Sequence, residues 1–93
     1  MRSQDSAEAI ALQALSWLAS NDEVFPVFLA ATGAAIKDLP SAAQDPAFLA
    51  SVLDFLVMED AWVMGFCDAA SLPYEAPMQA RAALPGGAQL HWT

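Results

Sequence analysis

Two stretches of the chain carry the same pattern of apolar residues, offset by about 38 positions, as in a tandem helical repeat. The aligned anchors are Leu15, Trp17, Leu18, Asp22 and Phe28 in the first stretch and Leu53, Phe55, Leu56, Asp60 and Phe66 in the second. Their spacing is helical, and no window shows the sustained alternation typical of a strand. The pattern predicts two similar three-helix units, at about residues 7–43 and 45–82.

Local start and stop signals predict where the helices of the first unit begin and end. We expect an amphipathic helix over residues 7–19, capped by Asp5 or Ser6. A second helix is expected to begin near Asp22 and to end at Gly33, because glycine adopts the left-handed conformation without steric cost. Residues 36–43 contain a proline and predict a connector of one or two helical turns.

Asp45-Pro46 is the strongest helix-start signal in the chain, since a capping carboxylate precedes a proline at the first helical position. It predicts a helix that runs to about Met58, with Ser51 and Asp54 on its solvent side. Glu59-Asp60 then predicts the start of a helix over residues 61–70, which is apolar on nearly every side and therefore expected to be central.

Ser71-Leu72-Pro73 is expected to open the last helix, whose inner face would carry Tyr74, Met78, Ala82 and Leu84. Pro85-Gly86-Gly87 ends helical structure. The sequence therefore predicts an all-α fold, a compact bundle of five or six short helices in one domain over residues 1–87, with residues 88–93 as a C-terminal tail.

The chain resembles a small bacterial family, mainly alphaproteobacterial, known only as a domain of unknown function. The resemblance covers nearly the whole chain and lies in helix and turn motifs, namely residues 9–15, 28–33 with Asp38-Leu39, 45–56 and 84–87. It implies an all-helical fold and carries over no catalytic residue. Ser71-Leu72-Pro73 departs from the family pattern, in which we expect a glycine-containing turn.

The charge of the chain excludes several classes of partner. Three basic residues against eleven carboxylates give a net charge of −8, which repels nucleic acid and anionic membrane surfaces. A single cysteine excludes an internal disulfide, and the N-terminus does not resemble a secretory signal. We therefore expect a soluble cytoplasmic protein that binds neither nucleic acid nor membranes.

The residues that carry chemistry each have a structural explanation. Cys67 lies in an apolar segment and is expected to be a buried small hydrophobe, so an enzyme that pairs it with His91 is disfavoured. The acidic pairs Asp22-Glu23 and Glu59-Asp60 are interpreted as helix caps in preference to acid-base or metal sites. We predict no catalytic residue, no metal site and no cofactor.

The aromatic residues of the helices are expected to fill the core, whereas the tail differs. Leu90, His91 and Trp92 follow the glycine pair, so they are predicted to dock on their own bundle or on a partner. The leading hypothesis is a protein-protein interaction or homo-oligomerisation module. The alternative is a small-molecule carrier or sensor with an apolar inter-helix pocket lined by Trp62, Met64 and Met78.

Overall fold

The computed structural model describes residues 3–84, with side chains from Asp5 onward, and confirms the all-α prediction. Within these residues the chain forms six α-helices and a short 3-10 turn, and no strand. The helices are α1 (Ser3–Ala19), α2 (Phe25–Thr32), α3 (Leu39–Ala42), α4 (Pro46–Leu56), α5 (Asp60–Ala70) and α6 (Ala76–Ala83), and the 3-10 turn spans Ile36–Asp38.

Helix α1 begins at Ser3, before the predicted start at Ala7. Asp5 and Ser6 lie within the helix, so the prediction that one of them occupies the position before its first residue was wrong. A carboxylate in the first turn still interacts favourably with the positive end of the helix dipole. Asp5 therefore stabilises α1 from within its first turn, through its charge.

The turn between α1 and α2 is held by Asn21, not by the predicted Asp22. The Asn21 side-chain oxygen accepts hydrogen bonds from the backbone amides of Glu23 and Val24, both at 3.2 Å. Helix α2 begins at Phe25, later than the predicted start near Asp22, and ends at Thr32. Gly33 caps it as predicted, with φ 74° and an amide that donates to the carbonyl of Leu29. A side chain at this φ would strain the backbone, so glycine fits the position.

Helix α4 begins where Asp45-Pro46 predicts. Asp45 Oδ1 accepts a hydrogen bond of 3.0 Å from the backbone amide of Ala47, and Pro46 occupies the first helical position. The helix ends at Leu56, slightly before the predicted Met58. The connector before it is one 3-10 turn followed by α3, as expected from its proline.

The core is organised around α4, which packs against α1 and α6. Six of its 11 residues are buried, whereas α5 buries only Phe66 and Cys67. The prediction that α5 is central was therefore wrong. The apolar residues of α5 do not by themselves decide which of its faces is buried. Met64, for example, is 47% exposed.

The inner face of α6 also differs from the prediction. Tyr74 precedes the helix and is exposed, Met78 is 65% exposed, and Ala82 is exposed, whereas Leu84 is buried as expected. The buried residues of α6 are Ala76, Pro77 and Ala80. Helix α6 packs against the alanine-rich face of α1, and small residues on both helices allow a close approach that large side chains would prevent.

The seven aromatic residues of the helices pack in or against the core, as predicted. Phe28, Phe55 and Phe66 are buried, and four others are partly buried against the same cluster: Trp17, Phe25, Phe48 and Trp62. The aligned pairs Leu15 and Leu53, Leu18 and Leu56, and Phe28 and Phe66 are all buried. Helix α1 has 17 residues and α4 has 11, so the repeat stays a prediction.

Candidate functional site

An open groove lies between the C-terminal end of α2 and the outer edge of α4, and its lining is mainly apolar. We call it the α2–α4 groove, and its volume is about 400 Å³. It is lined by Ala31, Thr32, Phe48, Ser51, Asp54, Phe55 and Met58. Four of these residues lie on one face of α4 and the turn that follows it, because they are spaced by three and four residues: Phe48, Ser51, Phe55 and Met58.

Phe48 and Phe55, which form the aromatic floor of the α2–α4 groove, belong to a larger network of packed aromatic rings. The fully buried ring of Phe28 makes edge contacts with Phe55 and with Phe48, at centroid distances of 5.4 Å and 6.1 Å. Trp62 stacks on Phe55, with centroids 4.8 Å apart and an interplanar angle of 20°. Rings locked in this way have little rotational freedom, so the floor of the groove is preorganised.

The polar side chains that line the α2–α4 groove are already hydrogen-bonded within the protein. The Ser51 hydroxyl donates to the carbonyl of Phe48 at 2.6 Å, and the Thr32 hydroxyl donates to the carbonyl of Phe28 at 2.9 Å. Asp54 Oδ1 accepts from Arg81 Nε on α6 at 2.6 Å. An occupant of the groove therefore gains mainly by burying apolar surface.

One rim of the groove combines an exposed apolar side chain with exposed carboxylates. Met58 is 70% exposed and lines the groove together with Phe48 and Phe55. Glu59 and Asp60 follow it directly and are also exposed. Methionine is flexible and polarisable, so it adapts to apolar partners of different shapes.

Two further grooves are smaller and less apolar. One lies between α1 and α6, has a volume of about 330 Å³ and is lined by Ile10, four alanines, Ser6 and Gln79. The other lies between α1 and α5, has a volume of about 300 Å³ and is lined by Gln13, Phe66, Ala69 and Ala70. Neither groove presents an aromatic pair with a methionine beside it.

Cys67 is buried, as predicted, with no exposed surface. Burial raises the pKa of its thiol above the ordinary value of 9.0, and the carboxylates of Asp68 and Glu75 raise the pKa further. Because the thiolate is the reactive form, this environment makes Cys67 a weak nucleophile at neutral pH. His91, which was considered as its partner, lies outside the described residues.

The acidic pairs do not cap helices through their side chains. Glu59 occupies the N-cap position of α5 without a side-chain hydrogen bond to the helix, and Asn21 takes the capping role near Asp22-Glu23. Asp60 lies in the first turn of α5, where its charge complements the helix dipole. Among the described residues, no three histidine, cysteine or acidic side chains are grouped so that they could hold a metal ion.

The structure does not bring the predicted pocket residues to any of the three grooves above. Trp62 supports the α2–α4 groove from behind through Phe55, whereas Met64 and Met78 are exposed on α5 and α6. The tail residues Leu90, His91 and Trp92 lie outside the described residues. The groove was not predicted because its walls come from two different helices. The sequence feature that could have indicated it is the small residue Ser51 between Phe48 and Phe55 on one face of α4.

The fold and the groove define a small all-α domain with an apolar surface cleft. In residues 3–84 no helix has the length and apolarity needed to cross a membrane. Residues 4–87 match the family described as "Protein of unknown function (DUF3572)", and the chain belongs to this family. The comparisons found no matching curated protein and no matching solved structure.

Proposed function

We propose that this protein is an interaction module whose α2–α4 groove binds a basic amphipathic segment of another protein. The observation that carries the proposal is the exposed Met58 beside an aromatic floor whose neighbouring polar groups are already paired. Helix-in-groove recognition uses this combination, because a few apolar side chains of the partner enter a preformed apolar cleft.

The charge of the domain favours a basic partner over a second copy of the same chain. Each copy carries a net charge of −8, so two copies repel one another. Glu59 and Asp60 at the rim attract Lys and Arg side chains that flank an apolar anchor. A groove of about 400 Å³ accommodates only one or two such anchors, so we expect a weak, transient interaction.

The methionine methyl groups provide a test that reports on the groove directly. Met58 lines the groove, whereas Met64 and Met78 do not. With methyl-labelled methionine, an amphipathic helical peptide of Leu and Lys is expected to shift the NMR resonance of Met58 and to leave Met64 and Met78 nearly unchanged. A Leu and Glu peptide of the same pattern is expected to shift none of the three.

Neighbouring alanines on α2 offer a matched pair of variants. Ala31 lines the groove and Ala30 is exposed without lining it. Ala31→Gln is expected to weaken binding of the Leu and Lys peptide by about tenfold, equivalent to about 1.4 kcal/mol, while Ala30→Gln leaves it unchanged. Equal effects of the two variants, or a Met58 resonance that ignores the peptide, would contradict the proposal.

A further inference from the structure

The end of α6 lies beside the α2–α4 groove. Arg81, in the last turn of α6, binds Asp54, and Asp54 is one of the side chains that line the groove. Leu84 is buried and extended, with φ −96° and ψ 160°, so the chain leaves the core close to this point. The Arg81–Asp54 ion pair therefore holds the C-terminal end of α6 next to the edge of the groove.

Residues 85–93 are long enough to cover the groove. At about 3.3 Å per extended residue, Trp92 can reach roughly 25 Å from Leu84, which is comparable with the shortest dimension of the domain, 26 Å. Gly86 and Gly87 allow the chain to turn in any direction, since glycine has access to both signs of φ. The length of the tail and the freedom of its glycines thus allow it to reach the groove.

The composition of the tail matches the groove. In an extended segment alternate side chains lie on the same side, so Leu90 and Trp92 would share one face and His91 the other. The groove offers aromatic rings and a methionine side chain, which are favourable surfaces for an indole. The α1–α6 groove has Ile10 as its only large apolar side chain and the α1–α5 groove has Phe66, so each offers an apolar pair less surface than the α2–α4 groove.

We propose that Leu90 and Trp92 of the C-terminal tail dock into the α2–α4 groove of their own chain and compete there with the partner segment. The docking stands independently of the proposed function, whereas the competition rests on it. The tail is then an autoinhibitory element. It lowers the apparent affinity of the groove for the partner segment, because only the fraction of molecules with an empty groove can bind it.

The docking is tested in the full chain without any peptide. Trp92→Ala is expected to shift the Met58 methyl resonance several-fold more than those of Met64 and Met78, because the ring current of the indole is lost. His91→Ala is the matched control and is expected to leave Met58 in place. The difference between the emission spectra of the wild type and of Trp92→Ala isolates Trp92, which should be blue-shifted relative to the free peptide of residues 85–93.

Two results would overturn the docking. One is a Met58 resonance that is the same in the wild type and in Trp92→Ala. The other is a shift that grows with protein concentration, which would place the tail on a second copy. Circular dichroism of both variants checks that the helices are retained, so a negative result remains interpretable.

The competition is tested with the Leu and Lys peptide. Trp92→Ala is expected to bind it several-fold more tightly than the wild type and than His91→Ala. Equal affinity for all three proteins would refute autoinhibition while leaving the partner site intact. A Met58 shift on Trp92→Ala together with no peptide binding by any protein would refute the proposed function and preserve the docking.

Discussion

The indole of Trp17 on α1 packs directly over Gly65 on α5. A β-carbon placed on Gly65 would lie 3.0 Å from Trp17 Cζ2, which is closer than nearly all real contacts of this kind. The same indole meets Phe66 edge-on, at a centroid distance of 6.3 Å. Gly65 is therefore favoured by the approach of a neighbouring ring and not by backbone conformation.

Gly65→Ala tests this contact, because helix propensity and packing act in opposite directions. Alanine favours the helix by about 1 kcal/mol, whereas overpacking costs about 1–3 kcal/mol. We expect a net destabilisation of about 1 kcal/mol, measured by urea unfolding. In a Trp17→Phe background, which lacks Cζ2, the same substitution should become stabilising by about 1 kcal/mol. Stabilisation in both backgrounds would show that the ring moves aside freely.

Ser71 provides a second test of backbone conformation. It ends α5 with φ 59° and is the only described residue other than glycine with a positive φ. Because a side chain in this region strains the backbone, Ser71→Gly is expected to stabilise the fold by about 0.5–1 kcal/mol. Ser16→Gly, at an exposed position inside α1, should destabilise it by a similar amount. Thermal unfolding of both variants checks the opposite signs.

Local chemistry predicted the start of α4 and the end of α2, whereas α6 begins at Ala76, after the predicted Ser71-Leu72-Pro73. Asp45-Pro46 and Gly33 act through hydrogen bonds and backbone angles within a few residues, so their roles do not depend on the tertiary fold. The departure of Ser71 from a glycine-containing turn was also visible in the sequence, and the structure places this residue in the left-handed region.

The buried faces of α5 and α6 were not predictable in this way. Helix α5 carries large apolar residues from Trp62 to Cys67, and only Phe66 and Cys67 are buried. Helix α6 buries Ala76 and Ala80 while Met78 points outward, because its approach to α1 favours small residues. The α2–α4 groove likewise depends on how two helices meet, which no local pattern specifies.

The Asp54–Arg81 ion pair joins α4 to α6 and is expected to contribute to stability. The Arg81 side chain is only 13% exposed and that of Asp54 is 48% exposed, so solvent screens the pair partially. Asp54→Ala should lower the free energy of unfolding by about 1–2 kcal/mol. Asp22→Ala, at an exposed position in a turn, is the control and should change it by less than about 0.5 kcal/mol. Similar small effects of both variants in urea unfolding would show that the pair is energetically neutral.

The raised pKa of the Cys67 thiol leads us to expect that the folded protein loses stability at alkaline pH. Its pKa is raised in the folded protein by burial and by the carboxylates of Asp68 and Glu75. The unfolded chain therefore releases this proton first, near the ordinary value of 9.0, and the folded chain retains it to higher pH. Below that pH the contribution of the thiol to stability is fully present, and it declines as the pH rises above it.

Cys67→Ala separates this contribution from the rest of the alkaline response. We expect the variant to be less stable than the wild type at pH 7, because a buried sulfur is removed, and the difference to shrink steadily above pH 9.0. Tyr74, whose pKa is raised above 10.0 by its hydrogen bond to Asp68, acts in the same direction at higher pH and is present in both proteins. Urea unfolding at several pH values measures the difference. A constant gap between the two proteins across this range would show that the thiol titrates equally in the folded and unfolded chains.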